Sequence, residues 1–184
     1  MTEGPPARAR VVVIGGGAVG ASVLYHLALR GVTEAVLLEK AELTSGSTWH
    51  AAGNTPNFAG SLNLMKLQHY SNRLYDRLAA EAGITRHRTG SLRLAQNAER
   101  AKEFHHVAAM AGTAGIAMEV LGPEEARERY GGLLETRELT AVLWDPGDGD
   151  IDPAQLTQTL AKEARDRGAK VFRRSPVTRL AQRP

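Results

Sequence analysis

The sequence predicts an α/β protein built on a parallel sheet, and three observations carry that expectation. Val11-Val12-Val13-Ile14 is a β-branched run without polar alternation, the pattern of a strand covered on both faces. Ala18 to Arg30 is an apolar, Pro-free segment that stops at Gly31, as a glycine-capped helix does. Ala35-Val36-Leu37-Leu38-Glu39 supplies a second buried strand and completes one strand–helix–strand unit.

The remaining elements follow in order. Thr44 to Gly60 is rich in Ser, Thr, Gly, Asn and Pro, and reads as a long functional loop with room for a helical turn. Leu62 to Ala82 reads as a helix in which Leu67, Tyr70, Leu74 and Leu78 form one apolar face, and Gly83 ends it. Thr89 to Ala95 alternates as a short strand. A helix follows in which Ala101, Phe104, Ala108 and Ala111 share a face. Met118 to Leu121 fits another strand, and Pro123 near a first turn starts a short helix. Trp144-Asp145-Pro146-Gly147-Asp148-Gly149-Asp150 reads as a turn-rich loop. Asp152, Pro153 and Gln155 then stand at N-cap, N1 and N3 of a helix that buries Leu156, Leu160 and Ala164 and ends at Gly168. Lys170–Arg173 and Val177–Leu180 are expected as strands split by Ser175-Pro176.

Composition narrows the function classes. At 184 residues the chain is long enough for one sizeable core, but short for an enzyme that holds a dinucleotide and also shapes a substrate pocket. The 42% hydrophobic and 23% charged content is that of a soluble globular protein. A net charge of +3 with scattered basic residues argues against a nucleic-acid partner. The absence of Cys excludes disulfides, thiolate nucleophiles and cysteine metal clusters. Residues 1–10 read as a flexible lead without the apolar stretch of a secretory signal, and the run behind them is too short to span a bilayer. A cytoplasmic protein without a membrane partner is therefore expected.

Gly15-Gly16-Gly17-Ala18-Val19-Gly20 fits G-x-G-x-x-G, with a strand before it and a helix after it. Gly15 allows the tight turn, Gly17 admits a pyrophosphate close to the backbone, and Gly20 lets helix and sheet pack closely. The helix N-terminus directs unpaired N–H groups at the phosphates. Glu39 follows 19 residues after Gly20, where its carboxylate accepts from ribose hydroxyls and repels a 2′-phosphate, which disfavours NADP. No Gly-Lys-Ser/Thr follows the glycines, so a Walker-type loop is excluded. The acidic loop Asp145, Asp148, Asp150, Asp152 is a poor calcium site, with Pro153 where Gly is required and Thr159 where Glu is required. The six histidines make no H-E-x-x-H zinc pattern, and no metal site is expected.

The loop after Glu39 carries the most specific signal. Ser45, Ser47 and Thr48 offer hydroxyls to a pyrophosphate or ribityl chain, Gly46 and Gly53 permit close approach, and a neutral His50 is a nucleophile toward an electrophilic flavin methyl carbon. Gly15 to Gly20, Glu39 and above all Gly46-Ser47-Thr48-Trp49-His50-Ala51-Ala52-Gly53 resemble the dimethylglycine and sarcosine dehydrogenase family of D-amino-acid-oxidase-like flavoproteins. The resemblance continues through Ser61–Ser71, Thr89–Ala95 and Gly149–Pro153. It implies a Rossmann-like FAD-binding βαβ unit with a parallel sheet that is incomplete here, followed by the beginning of an α+β substrate-side region. The implied segments are 11–60 for the βαβ unit and flavin loop, 61–145 for an insertion, and 146–184 for a return to the FAD domain.

The resemblance also implies FAD bonded through its 8α methyl to His50. Lys40 and Ala51 join Gly15, Gly17, Gly20, Glu39, Ser45, Ser47, Thr48 and Gly53 in the implied cofactor set, and Val177 meets the adenine side through its main chain. His69 and Tyr70 either approach the flavin ring or pack on their helix. The implied reaction oxidises the N-methyl group of a small amino acid such as dimethylglycine or sarcosine, with hydride passing to flavin N5 and electrons to oxygen or an electron-transfer protein. Tetrahydrofolate would act only in regions downstream of this segment. No catalytic residue is identified here, and the segment alone is expected to be inactive. Three alternatives stand beside this reading: an FAD-binding subunit that needs another polypeptide, a non-enzymatic fragment, and an NAD-dependent dehydrogenase, which would not require the His50 loop.

Overall fold

The computed structural model describes residues 4–130, 132 and 134–182, so the first three residues of the expected lead and the last two residues of the chain lie outside it. In chain order the elements are β1 (Val11–Ile14), α1 (Ala18–Leu29), β2 (Ala35–Leu38), a 3-10 turn (Ser47–His50), α2 (Leu62–Ala82), β3 (Arg86–His87) and β4 (Ser91–Ala95). There follow α3 (Ala98–Thr113), β5 (Glu119–Leu121), α4 (Pro123–Tyr130), β6 (Ala141–Asp145), β7 (Asp150–Ile151), α5 (Pro153–Asp166) and β8 (Lys170–Phe172). They divide into two compact units, one of Met1–Gly53, Leu78–Thr85 and Asp152–Pro184, the other of Asn54–Arg77 and Arg86–Ile151.

The first unit holds a three-stranded parallel sheet in the order β1-β2-β8, with Val11 opposite Ala35 and Val36 opposite Lys170. Ala35, Val36 and Leu37 of the central strand are buried, as their apolar run anticipated. β1 departs from the expectation of burial on both faces: Val12 and Ile14 are 48% and 53% exposed. The reason is its place in the sheet, because β1 is an edge strand among the described residues and only alternate side chains are partly covered. Helices α1 and α5 pack together, burying Ala21, Leu24, Tyr25 and Ala28 from one and Leu156, Leu160, Ala161 and Ala164 from the other. Each fully buried leucine of this set is worth roughly 1.5–3 kcal/mol relative to exposure.

Asp152 caps α5 as its sequence indicates, accepting from the N–H groups of Ala154 (2.8 Å) and Gln155 (2.9 Å). The Gln155 amide does not close a capping box. Its Oε1 accepts from Thr85 N–H at 2.7 Å while Asp152 N–H donates to Thr85 O, so the cap also fastens the segment after α2. Val177–Leu180, expected as a strand, forms none and pairs with no described strand.

The second unit is antiparallel. β6 lies between β4 and β5, with Leu94 and Leu121 both opposite Val142, and β3 pairs with β7. One face of the larger sheet is covered by Met65, Phe104, Val107 and Ala111 around Ala95 and Leu143. Trp144 and Asp145, expected in a loop, are the last residues of the central strand. The turn therefore begins at Pro146, two residues later than the sequence suggests. Trp144 also explains Gly90, which has φ +71° and whose Cβ, if present, would overlap the indole ring. The apolar face of α2 differs as well: Met65, Leu74 and Leu78 are buried, but Leu67 and Tyr70 are 61% and 51% exposed. Its buried stripe includes polar Asn72, which hydrophobic periodicity does not register. Among the described residues no helix is long and apolar enough to cross a membrane.

Candidate functional site

The site begins where β1 turns into α1. Gly15 has φ +104°, a left-handed geometry that L side chains avoid, and its N–H donates to Leu38 O at 2.9 Å. A Cβ on Gly20 would overlap the carbonyl oxygen of Gly15, so the third glycine is fixed by contact with the first. A Cβ on Gly17 would sit 2.9 Å from Thr48 Oγ1. Gly16, which the motif leaves open, is constrained too: a Cβ there would come within 2.5 Å of Leu43 Cδ2 and 3.0 Å of Glu39 Cβ. The first intrahelical bond runs from Ala21 N–H to Gly17 O, which leaves the preceding amides at the α1 N-terminus without intrahelical acceptors.

Glu39, 8% exposed at the end of β2, has two roles. Its Oε2 accepts from Gly16 N–H at 2.6 Å and its Oε1 from Ala41 N–H at 2.8 Å, so the acid locks the glycine turn to the following chain. Each oxygen keeps a second acceptor site, which leaves the ribose role available. The backbone around it is held by β8 and the chain after it, with Glu39 N–H donating to Phe172 O and Ser175 N–H to Glu39 O. Arg173 and Arg174 reach Glu42 at 2.6 and 2.9 Å. The hydrogen bond from Arg174, aided by the charge of Arg173, lowers the Glu42 pKa.

The loop is tied back onto the turn. Thr44, at φ +73°, donates its N–H to Gly16 O at 3.0 Å, and Thr48 Oγ1 accepts from Ala18 N–H at 3.0 Å. The hydroxyl thus caps one orphan amide of α1 in place of a side chain from the N-cap residue, Gly17, which has none to offer. Between these ties the 3-10 turn is closed by Trp49 N–H to Thr44 O and by Ala51 N–H to Thr48 O. Lys40, Ser45, Ser47, His50 and Ala51 are exposed along this stretch, Trp49 is 70% exposed, and Gly53 takes φ +80° at the end of the loop.

Gly15, Gly17, Gly20, Glu39 and Thr48 therefore converge on the helix terminus, with Ser45, Ser47 and His50 on the loop tied to it. Val177 is not brought into a strand and is 36% exposed. Sequence reasoning missed Gly16 and Thr44, the residues that join loop to turn. The uninterrupted Gly15-Gly16-Gly17 triplet was the available signal for the first, while nothing local marks a threonine at positive φ. The donor set suits a diphosphate. A Cβ on Gly15 or Gly46 would meet nothing within 4 Å, so the backbone there is open to a ligand, and the helix terminus presents amides to an anion.

A glycine turn opening a helix, with an acid closing the next strand, defines the dinucleotide-binding class of α/β proteins. Residues 10–184 match the family DAO, FAD dependent oxidoreductase, and the chain belongs to that family. It is 44% identical over 190 residues to dimethylglycine dehydrogenase, mitochondrial, of Rattus norvegicus, covering 99% of this chain and 22% of that protein. It is 38% identical to human sarcosine dehydrogenase, mitochondrial, covering 97% of this chain and 20% of that protein. Among solved structures, L-proline dehydrogenase from P. horikoshii superimposes with a TM-score of 0.84 at 31% identity, covering 92% of this chain and 45% of that one. The chain thus spans about a fifth of the length of these sequence relatives.

Proposed function

We propose that this chain holds the FAD of an enzyme that oxidises a small N-methyl amino acid, of the dimethylglycine or sarcosine kind, and that His50 is the covalent attachment point of the flavin. The observation that carries the reading is the pair of bonds joining the His50 loop to the phosphate-binding turn, Thr44 N–H to Gly16 O and Ala18 N–H to Thr48 Oγ1. They set an exposed imidazole at a fixed chain distance from the α1 N-terminus. Identity to dimethylglycine and sarcosine dehydrogenases over nearly the whole chain supports the substrate class.

In this reading the amides at the start of α1 bind the pyrophosphate, and Glu39 accepts from the ribose while it holds Gly16. Ser45, Ser47 and Thr48 supply hydroxyls, and His50 fixes the ring end of the cofactor. The flavin itself supplies a two-electron acceptor for hydride from the N-methyl carbon. The final electron acceptor would be oxygen or an electron-transfer protein, and any folate chemistry would belong to regions downstream of this segment. Formaldehyde release from dimethylglycine or sarcosine tests the assignment: turnover is expected from a polypeptide of the relatives' length and not from these 184 residues alone. Turnover by the short chain above a His50→Ala control would contradict the division of labour. Gly17→Val tests the phosphate placement, because its side chain meets Thr48; unchanged FAD affinity would count against it.

A further inference from the structure

The second unit contains a feature that cofactor binding does not use. Asp145 at the end of β6 and Asp148 in the turn to β7 are 1% and 3% exposed. Asn57 joins them. Its Nδ2 donates to Oδ1 of both carboxyls at 3.3 Å, and its N–H donates to Asp148 Oδ1 at 2.6 Å. Ser91 Oγ donates to Asp148 Oδ2 at 2.6 Å, and Gly147 N–H to Asp145 Oδ1 at 2.9 Å. Asp145 Oδ2 is buried without a partner. An unpaired anionic oxygen is far more costly in such a place than the neutral acid.

Among the described residues neither carboxyl forms an ion pair. Arg86 on β3, its side chain 2% exposed, gives its donors to Asp76 and Thr55 at 2.7 Å and to Asn72 at 3.3 Å. Arg93 on β4 lies over the Phe58 ring at 4.2 Å, and His87 pairs with Asp150 at the β3–β7 surface. Asn72 Nδ2 donates to Asn57 Oδ1 at 2.9 Å, which fixes the Asn57 amide with its own donor toward the acids. The turn is shaped around them: a Cβ on Gly147 would stand 2.8 Å from Asn57 Nδ2, and one on Gly149 would overlap His87 O.

We propose that the Asp145–Asp148 pair holds one proton, on Asp145, and that the neutral acid keeps residues 54–57 fastened to β4 and to the β6–β7 turn. Burial first, and the adjacent Asp148 second, push Asp145 up to about 7. When the proton leaves, two buried carboxylates face each other with one Asn57 amide between them. The bonds at risk are Asn57 N–H to Asp148 and Thr55 N–H to Gly149 O, which hold the stretch directly following Gly53.

The test is thermal unfolding of the chain and of Asp145→Asn from about pH 5 to about pH 8, with amide hydrogen exchange at Thr55 and Asn57. The wild type is expected to lose melting temperature as pH rises, and its two amides to exchange faster than the intrinsic base-catalysed rise. Asp145→Asn, which mimics the neutral acid, is expected to lose that dependence and to melt above the wild type at the alkaline end. Asp148→Asn is expected to shift the dependence to lower pH, because the like charge is gone. Infrared spectroscopy of the wild type serves if a variant does not fold. A protonated carboxylic acid band near pH 6 that fades toward pH 8 supports the latch; its absence, or parallel melting profiles for wild type and Asp145→Asn, overturns it.

Discussion

Gly20, Gly16 and Glu39 show how single residues fix the site. A methyl group on Gly20 meets a backbone oxygen, which cannot move without the turn, whereas one on Gly16 meets chiefly the far end of the Leu43 side chain. Gly20→Ala is therefore expected to destabilise more than Gly16→Ala, with an overpacking cost of about 1–3 kcal/mol or more for the former, read by denaturant unfolding. Equal costs would show that the Gly15 carbonyl has room to shift. Glu39→Gln removes the charge that strengthens two backbone bonds and turns an amide donor toward an N–H. A loss of roughly 1.5–3 kcal/mol in the same measurement is expected. The three motif glycines and Glu39 were legible because their spacing is a chemical constraint. Gly16 and Thr44 were not, because their partners are side chains and carbonyls distant in sequence.

The elements divide in the same way. α5 was readable to its ends, since Asp152, Pro153 and Gly168 each act within one turn of the helix, and the βαβ unit was readable because glycines punctuate its apolar runs. β6 was misread because Trp144-Asp145 adjoin a strong turn signal, and Val177–Leu180 was misread because β-branched composition does not supply a neighbouring strand. The α2 face was misassigned because Asn72 is buried by its bonds to Asn57 and Thr55, a cause that hydropathy cannot express. Capping gives a prediction at this scale. Asp152 accepts from two amides and Asn97 at the start of α3 accepts only from Arg100 N–H. Asp152→Ala is expected to cost about 1–2 kcal/mol and Asn97→Ala about 0.5–1 kcal/mol in chemical unfolding, and the reverse order would contradict the capping account.

Over the whole molecule, pH acts through two sets of acids with opposite signs. Asp145 is raised above its unfolded value of 3.8 to about 7, so the folded chain binds more protons between those values. Its stabilising effect is present in full below the unfolded value and is lost as pH rises through the folded one, at up to about 1.4 kcal/mol per pH unit. Glu42, Glu119, Glu135 and Asp166 are lowered by hydrogen bonds from Arg174, Arg129, Arg137 and Lys162, and their contribution disappears instead as pH falls below the ordinary carboxylate range. A stability maximum on the acid side of neutrality is expected. A melting temperature that rises steadily from about pH 5 to about pH 8 would show that the buried pair does not hold its proton.

Covalent attachment of the flavin at His50 is measured on the natural polypeptide. It is unfolded, freed of unbound flavin and digested, and the mass and visible absorbance of the peptide containing Gly46–Gly53 are measured. A peptide carrying one FAD, or the flavin portion that digestion leaves, is expected, with the modification on His50 and absent from His50→Ala. Flavin that is released quantitatively on unfolding, leaving an unmodified His50 peptide, would contradict it.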